Sequence, residues 1–198
     1  IKYYNAYVGA GSPTSGEANP SNARYNLGYC YLRKENYTVA LTFFEPLAKT
    51  PALNSNELTQ DAYLRAADCY YMERNYSKAK AMYDNVIKFS WPSEDYATFQ
   101  NSMITGIRSS KDKISLLNTM NRKFPASPLV TDANMEIANT YMSDEKFGEA
   151  IPYLNNVIKS SGNASLKPQA YLKLGTAYYN LNNNAEALKQ YNVLIAQY

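Results

Sequence analysis

The sequence predicts an all-α fold, an α-solenoid of five helical hairpins preceded by an orphan helix. Apolar residues recur at helical spacings of three and four along most of the chain. Each hairpin-sized stretch also has a small residue in its first helix, where two helices would approach closely. These close-contact residues, Gly28, Ala67, Ser102, Ala138 and Gly175, follow one another at steps of 39, 35, 36 and 37 residues. Insertions therefore fall between hairpins, where a solenoid tolerates them.

The composition narrows the possible functions. The 198 residues are 45% hydrophobic with a net charge of +3, and they contain no basic stripe for nucleic acid and no apolar run of membrane-spanning length. Histidine, the commonest general base and transition-metal ligand, is absent. We therefore expect no enzyme, no catalytic or metal site, no cofactor, no nucleic-acid partner and no direct insertion into a membrane.

The chain opens in the middle of a repeat. Residues 1–8 align with residues 188–195, so they are interpreted as the second helix of a repeat whose first helix lies outside the sequence. The chain is accordingly expected to be a piece of a longer protein. Residues 9–22 are rich in Gly, Ser, Pro and Asn and have no periodicity. They predict a loop inserted between repeats, with a partner-binding protrusion as the alternative.

The first two complete repeats are expected over 21–54 and 60–93. Asn19 and Pro20 are typical of a helix N-cap followed by a first-turn proline. Pro46 lies inside a second helix and should kink it or end it early. Trp91 marks the exit of the second repeat and is interpreted as a packing residue.

The third repeat, 94–127, departs from the pattern. Lys113 stands where the second helix should have a small residue, and the turn is expected to be about one residue short. Drift at a tolerant site and a deliberate change of superhelical pitch both remain open as causes.

The last two repeats, 131–164 and 168–198, restore the pattern. Ser127 and Pro128 predict the start of the fourth repeat. Pro152 lies within its second helix and should remove one backbone hydrogen bond there. In the fifth repeat, Asn182 begins the polar turn between the two helices.

The fifth repeat carries a recognisable combination. Leu174, Gly175 and Tyr178, followed by Ala187 and Tyr191, stand in an order and spacing that resembles the tetratricopeptide repeat (TPR). The resemblance extends over about nine-tenths of the chain, as a single array over 1–198. It implies a right-handed α-solenoid in which the first helices of successive hairpins line a concave groove that binds partners.

The groove implied by this resemblance is aromatic, rich in methionine and poor in charge. Chaperone-adaptor members of the family hold a C-terminal carboxylate with Lys, Asn and Arg, and the corresponding positions here carry other residue types, so no chaperone-tail carboxylate clamp is expected. The residues projected onto the groove are Tyr25, Tyr29, Arg33, Leu64, Asp68, Tyr71, Met72, Phe99, Met103, Met135, Asn139, Met142, Leu172, Tyr179 and Asn180.

Two acidic pairs and two cysteines are the candidates for a chemical role. Asp61 with Asp68, and Glu94 with Asp95, resemble acid pairs, but no ligand-bearing loop of defined spacing accompanies them. Solvated helix surface is the preferred interpretation. The two cysteines occupy equivalent positions in neighbouring repeats, and packed helix axes lie about 8–10 Å apart, so both are expected to be unlinked, buried thiols.

Two classes of function remain. The first is a protein–protein interaction scaffold that takes an apolar segment of a partner into the groove. The alternative is a structural assembly subunit, a fragment of a longer TPR protein that makes contacts through its convex face or ends. An exposed apolar patch on the second helices would favour that alternative.

The cellular context is inferred from a further resemblance. The chain is rich in Tyr, Asn and Lys, and this composition, with the run from Tyr96 to Leu117, resembles that of TPR proteins of Bacteroidetes-type Gram-negative bacteria. Many of those proteins are envelope-associated. This similarity implies a periplasmic or outer-membrane-associated location, with the cytoplasm as the alternative.

Overall fold

The computed structural model describes residues 1–9, 19–49 and 55–198, and over those residues it contains eleven α-helices and no strand. The predicted all-α fold is confirmed, and a short 3₁₀ turn at Ala164–Leu166 is the other regular element of this part of the chain. In chain order the helices are α1 Lys2–Gly9, α2 Pro20–Arg33, α3 Tyr37–Phe44, α4 Glu57–Met72, α5 Tyr76–Lys88, α6 Glu94–Gly106, α7 Ser110–Lys123, α8 Val130–Ser143, α9 Phe147–Lys159, α10 Lys167–Asn180 and α11 Asn184–Gln197.

The helices form two compact units, Ile1–Ala97 and Thr98–Tyr198, with the boundary inside α6. In the N-terminal unit α2 packs on α3 and α4 on α5, while α1 lies against α2 and α3 against α4. In the C-terminal unit α7 packs on α8, α8 on α9, α9 on α10 and α10 on α11. These helices therefore pack on their neighbours in the sequence, as hairpins joined by short turns should.

The close-contact glycines allow the two helices of a hairpin to touch. A Cβ added to Gly28 would lie 2.6 Å from the ring of Phe44 on α3, which is fully buried. A Cβ on Gly175 would likewise overlap the ring of Tyr191 on α11. Any larger side chain at these positions would separate the two helices of the hairpin or displace an aromatic ring that fills the contact.

Four hairpin turns share one backbone conformation, in which a residue other than glycine adopts a left-handed φ. These residues are Glu35, Arg74, Glu145 and Asn182, with φ of 56°, 61°, 57° and 60°. In each turn the next N–H reaches back to the carbonyl five residues earlier, as in the bond from Asn36 N to Tyr31 O at 3.0 Å. This arrangement is a Schellman motif, which satisfies the last carbonyl groups of the first helix.

The residue that closes each motif also begins the second helix. Asn36, Asn75 and Asn183 cap α3, α5 and α11, and each side chain accepts the N–H of the residue three positions later. Lys146 holds the same position before α9 and makes no such side-chain bond. Three residues therefore separate the helices in each of these four turns, and in three of the turns they carry both a Schellman motif and an asparagine cap.

The third hairpin differs from the others in its first helix. Its turn has three residues, like the other four, so the predicted short turn is wrong. Instead, α6 ends four residues after Ser102, whereas the other first helices end five residues after their close-contact residue. Lys113 occupies the small-residue position of α7, and its Nζ lies 2.7 Å from a carboxylate oxygen of Glu136 on α8. The ion pair is mostly buried, which explains how a long basic side chain is accommodated there.

Helix boundaries confirm some local predictions and correct others. Asn19 caps α2 and Pro20 is its first residue, so the predicted loop 9–22 is shorter at both ends; residues 10–18 lie outside the described residues. Before Pro46, α3 ends at Phe44, as predicted. The Ser127 start of the fourth repeat is wrong, because the Ser127 hydroxyl accepts the N–H of Leu129 at 3.2 Å and α8 begins only at Val130.

Pro152 lies inside α9, as predicted. The predicted first repeat extends to residue 54, and its last residues, 50–54, lie outside the described residues.

Each unit has its own apolar core. In the N-terminal unit the fully buried side chains include Leu27, Phe44, Tyr83 and Val86. In the C-terminal unit one cluster joins α7 to α8 through Leu117 and Ile137, and a second joins α8, α9 and α10 through Leu154. Both cysteines are free thiols, as predicted, although Cys30 is half-buried and only Cys69 is fully buried. Burial raises the pKa of the Cys69 thiol to about 12.

Candidate functional site

Two tyrosines of the predicted groove lie on α2 and point at α4. Tyr25 and Tyr29 each donate a hydrogen bond to Oδ2 of Asp61, at 2.7 and 2.6 Å. Their rings meet edge to face at a centroid distance of 4.9 Å. Because both hydroxyls converge on one carboxylate, the contact between α2 and α4 is polar on this side.

An arginine continues the cluster along α4. Arg65 lies one turn after Asp61 and pairs with it at 3.2 Å, and it pairs with Asp68 at 2.5 Å. The guanidinium also lies over the rings of Tyr29 and Tyr96, with 5.9 and 5.8 Å from Cζ to the ring centroids. The second carboxylate, Asp68, accepts hydrogen bonds from Tyr83 at 2.7 Å and Tyr96 at 3.1 Å.

These residues form a tyrosine–aspartate cluster, and the cluster corrects the expectation that its two aspartates lie on solvated helix surface. Its members are Tyr25, Tyr29, Asp61, Arg65, Asp68, Tyr83 and Tyr96. Asp61 and Asp68 are not solvated helix surface; their side chains are 29% and 12% exposed. The spacing i, i+4, i+7 of Asp61, Arg65 and Asp68 was the available signal, because it places all three on one helix face. Their tyrosine partners come from other helices, which no local spacing reveals.

The two carboxyl groups respond oppositely to their surroundings. Burial opposes ionisation of Asp61, but the bonds from Tyr29, Tyr25 and Arg65 outweigh it and lower the pKa of Asp61. At Asp68, burial is the larger effect and raises its pKa despite Arg65, Tyr83 and Tyr96. The same burial, with Asp68 as an acceptor, raises the pKa of Tyr83 well above its usual range. The cluster therefore has its hydrogen bonds satisfied internally.

The C-terminal turn of α4 is more open. Tyr71 is half-buried and packs edge to face on Tyr76, with centroids 5.6 Å apart. Met72 is 51% exposed, and Arg33, at the equivalent position of α2, is exposed as well. Leu64 is only 2% exposed, so its predicted place on an accessible groove is wrong.

In the C-terminal unit the residues predicted to line the groove differ in how deeply they are buried. Phe99 and Met103 on α6 are half-buried, and Phe99 packs against the α7–α8 core. On α8, Met142 packs against the second core cluster, and Met135 is buried within it at 3% exposure, so its predicted exposure is also wrong. Asn139 is half-buried; its Nδ2 donates to Glu136 at 3.3 Å, and its buried Oδ1 has no hydrogen-bond donor among the residues that are described.

The first helix of the last hairpin is the most open. Leu172 and Tyr179 on α10 are 51% and 64% exposed, and they lie seven residues apart on one face. Asn180 is exposed too, and its Nδ2 donates to the carbonyl of Thr176 at 2.8 Å. Thr176 in turn donates to the carbonyl of Leu172 at 3.0 Å. The polar groups of this face are thus engaged with their own helix.

The second helix of the same hairpin carries apolar residues that the sequence-based prediction missed. Leu188 and Ile195 on α11 are 62% and 80% exposed, again seven residues apart. They stand one and eight positions after Ala187, the small residue of this second helix. At those positions in the first repeat, Leu41 and Ala48 are 7% and 6% exposed. Comparing equivalent positions between repeats is the signal that could have identified them.

Residues 1–9, 19–49 and 55–198 contain neither a candidate metal site nor a candidate membrane span. In that part of the chain no group of three or more acidic, cysteine or histidine side chains is placed to hold a metal ion. None of the helices there combines the length and apolar character needed to cross a membrane.

Three family models match the chain, each described as a tetratricopeptide repeat. They cover residues 21–45, 61–89 and 135–198. A comparison with curated protein sequences finds no match. The matched stretches correspond to the α2–α3 hairpin, the α4–α5 hairpin and the helices from α8 to α11.

Solved structures give the same fold. MamA (residues 41 to the end) from Desulfovibrio magneticus RS-1 superposes with a TM-score of 0.69 at 15% identity, covering 89% of this chain and 93% of that one. The TPR-like repeats of a putative kinesin light chain from Podosopora anserina give 0.67 at 15% identity, with 90% and 95% covered. YrrB, described as a TPR protein with an unusual peptide-binding site, gives 0.61 at 16% identity, with 89% and 85% covered. At such low identity the likeness establishes the fold, and together with the family models it shows that the chain contains tetratricopeptide repeats.

Proposed function

We propose that this chain is a protein-binding scaffold and that its principal binding surface is provided by the exposed apolar residues of the α10–α11 hairpin, which are called its end face here: Leu172 and Tyr179 on α10, and Leu188 and Ile195 on α11. The exposure of these four large side chains, 51% to 80%, is the observation that supports the proposal. Clusters of exposed apolar side chains on a protein surface mark sites of interaction.

The equivalent positions of earlier repeats indicate the kind of partner. Leu64 and Met135 hold the position of Leu172, three residues before the close-contact residue, and they are 2% and 3% exposed. Met135 is buried there against helices α9 and α10. A surface that is covered by helices in one hairpin is shaped for helices in another. The partner of the end face is therefore a helical pair with its own apolar stripe, packed as one more hairpin.

Photo-crosslinking tests the end face. A photoreactive phenylalanine analogue at position 195 should crosslink, in cells expressing the full-length gene, to an apolar helical segment of another polypeptide. The same analogue at Glu149, an exposed position on α9, serves as the matched control. Adding Leu188→Ser should abolish the crosslink from position 195. Equal crosslinking from positions 195 and 149 would contradict the proposal.

A second surface is favoured by side chains on the first helices of the C-terminal unit. Met103 and Met142 are half-buried on α6 and α8, and Ile107, just after α6, is 60% exposed. These residues support the groove hypothesis, in which an extended segment with spaced apolar anchors binds along the first helices.

The groove hypothesis has a separate test. Tyr71→Ala and Met142→Ala should each weaken the binding of a partner that occupies the groove by about 1–4 kcal/mol if that side chain contacts the partner. The melting temperature of the protein should stay unchanged. Unchanged binding with a lower melting temperature would assign these residues to the core. Leu188→Ser distinguishes the two surfaces, because it affects only the end face.

We also propose a location in the cell envelope, and we propose no catalytic activity. The envelope association inferred from composition predicts that the full-length protein fractionates with the periplasm or outer membrane of its native cells. Recovery in the cytoplasmic fraction would contradict it.

A further inference from the structure

Helix α1 shows what kind of surface receives a helix such as α11. Residues 1–8 align with residues 188–195 of α11, with identical residues at three of the eight positions. They also align with residues 151–158 of α9, again with three identities. In the structure α1 packs on α2, as α9 packs on α10. The chain therefore contains a helix of the α11 type that lies against a first helix, and that first helix is α2.

The residues with which α9 contacts its first helix have exposed equivalents in α11. Ile151 and Ile158 of α9 are half-buried and pack against a core cluster that includes Ala170 of α10. Leu188 and Ile195 hold the same positions in α11, and they are 62% and 80% exposed. Because equivalent positions of equivalent helices point in the same direction, α11 presents the surface that α9 uses to contact a first helix.

The face of α2 that would receive α11 has the same small residue as α10. Ala23 lies five positions before the close-contact residue Gly28, as Ala170 lies five positions before Gly175. Alanine holds this position in all five repeats and is at most 3% exposed in each, at Ala23, Ala62, Ala97, Ala133 and Ala170. A small side chain there lets a second helix approach closely. The surface of α2 is therefore suited to the apolar residues of α11.

Helix α1 leaves much of its own surface exposed while it covers α2. Lys2, Tyr3, Asn5 and Ala6 are exposed, and the fraction for Tyr3 is 88%. The helix has eight residues, whereas α11 has fourteen. An exchange of α1 for α11 would remove large apolar side chains from water, which favours association. Exchange of equivalent elements between copies is a low-cost route to assembly.

We propose that the end face binds a second copy of this chain, and that α11 of one copy packs on α2 of the next in place of α1. The α2–α3 hairpin is then the helical pair that the end face requires, so this inference rests on the proposed function and names its partner. The contact is heterologous, because α11 and α2 are different surfaces of each copy. Copies therefore join head to tail.

Sedimentation of the purified chain measures this association. The average mass should rise above that of the monomer as the protein concentration is raised. Leu188→Ser should weaken the association about ten-fold or more, as truncation of a residue central to an interface does. Ile107→Ser is the matched control, because Ile107 is 60% exposed and lies outside the α10–α11 hairpin, and it should change nothing. A chain that is monomeric at every concentration, or equal association of the Leu188→Ser variant, would overturn the proposal.

Crosslinking identifies the receiving helix. In the purified chain, the photoreactive analogue at position 195 should join two copies, and mass spectrometry should place the second end of the crosslink within Pro20–Arg33. A crosslink between two α11 helices would overturn the exchange. A crosslink in cells to a different polypeptide only, with a monomeric purified chain, would refute this inference and leave the proposed function intact. Absence of any crosslink from position 195 would refute both.

Discussion

At the residue scale, four hairpin turns place residues other than glycine in the left-handed region. Glu35, Arg74, Glu145 and Asn182 all have φ near 60°. The strain from Cβ at such a φ costs about 1–2 kcal/mol for most L-residues, and it is offset by the two carbonyl groups that each motif satisfies. Asparagine, which tolerates this region better, occupies only one of the four positions.

Glycine at such a position should stabilise the protein. We expect Glu35→Gly to raise the free energy of unfolding by about 0.5–1 kcal/mol, the relief of strain less the larger chain entropy of glycine in the unfolded state. Lys34 precedes it with an ordinary φ of −88°, so Lys34→Gly should have no such benefit. Urea unfolding of both variants measures the difference, and equal effects would exclude backbone strain at Glu35.

The missing cap of α9 gives a second prediction. Lys146 occupies the position of Asn36, Asn75 and Asn183 without capping its helix. Lys146→Asn should therefore increase stability by about 1 kcal/mol, and Asn183→Ala should decrease it by a similar amount. Thermal unfolding of the two variants tests the pair. A neutral Lys146→Asn with a destabilising Asn183→Ala would mean that the α9 turn cannot accept the cap geometry.

At the element scale, one glycine is required for close helix packing and another is not. Gly28 faces the buried ring of Phe44, whereas a Cβ at Gly148 would meet nothing within 4 Å. Gly28→Ala should cost about 1–3 kcal/mol through overpacking, while Gly148→Ala should gain about 0.5–1 kcal/mol through helix propensity. Chemical denaturation distinguishes these opposite signs, and a stabilising Gly28→Ala would contradict the close contact of α2 and α3.

The tyrosine–aspartate cluster links α2, α4, α5 and α6 in the N-terminal unit, and it predicts a pH dependence. The folded state lowers the pKa of Asp61, so its ionised form stabilises the fold at neutral pH, and this stabilisation is lost as the pH falls below about 4. Asp61→Asn should cost about 1–3 kcal/mol at pH 7 and less in acid. Asp68, whose pKa is raised, acts in the opposite sense: its contribution is present in acid and is lost as the pH rises through its folded-state pKa.

A matched control is available on α5. Asp84 pairs with Lys80 at the same i, i+4 spacing, and both side chains are nearly half exposed. Asp84→Asn should therefore cost at most about 0.5 kcal/mol at any pH. Unfolding curves at pH 7 and pH 3 for both variants give the comparison. An Asp61→Asn penalty that is independent of pH would show that shape, rather than charge, is what this position contributes.

At the scale of the whole molecule, the helical repeat was predictable from sequence because it depends on local spacing. The small residues Gly28 and Gly175 lie where their order placed them, and α3 ends before Pro46 as proline chemistry requires. Leu64 and Met135 were misplaced because a helical wheel gives the direction of a side chain and not the depth of what covers it. The tyrosine partners of Asp61 on α2 are 36 and 32 residues away in the sequence, a separation that no local pattern encodes.

The candidate binding surfaces were likewise predictable from the sequence only in part. Tyr179 and Leu172 followed from projecting the first helices, and their exposure is a property of the last hairpin that emerges from the structure. Leu188 and Ile195 could have been identified by comparing equivalent positions between repeats, but their exposure depends on the surrounding residues, which the sequence does not give. Contact of any of these residues with a partner stays a prediction.

The shared turn also has a consequence for how quickly the chain reaches its native state. Each Schellman motif, and the asparagine cap that adjoins three of the four, is closed by hydrogen bonds that span three to five residues. Bringing such near neighbours together loses little loop entropy, and domains dominated by local contacts fold in microseconds to milliseconds. A hairpin such as α10–α11 can consequently assemble before its neighbours and serve as the template on which they dock, so that folding spreads along the chain rather than requiring all of it at once.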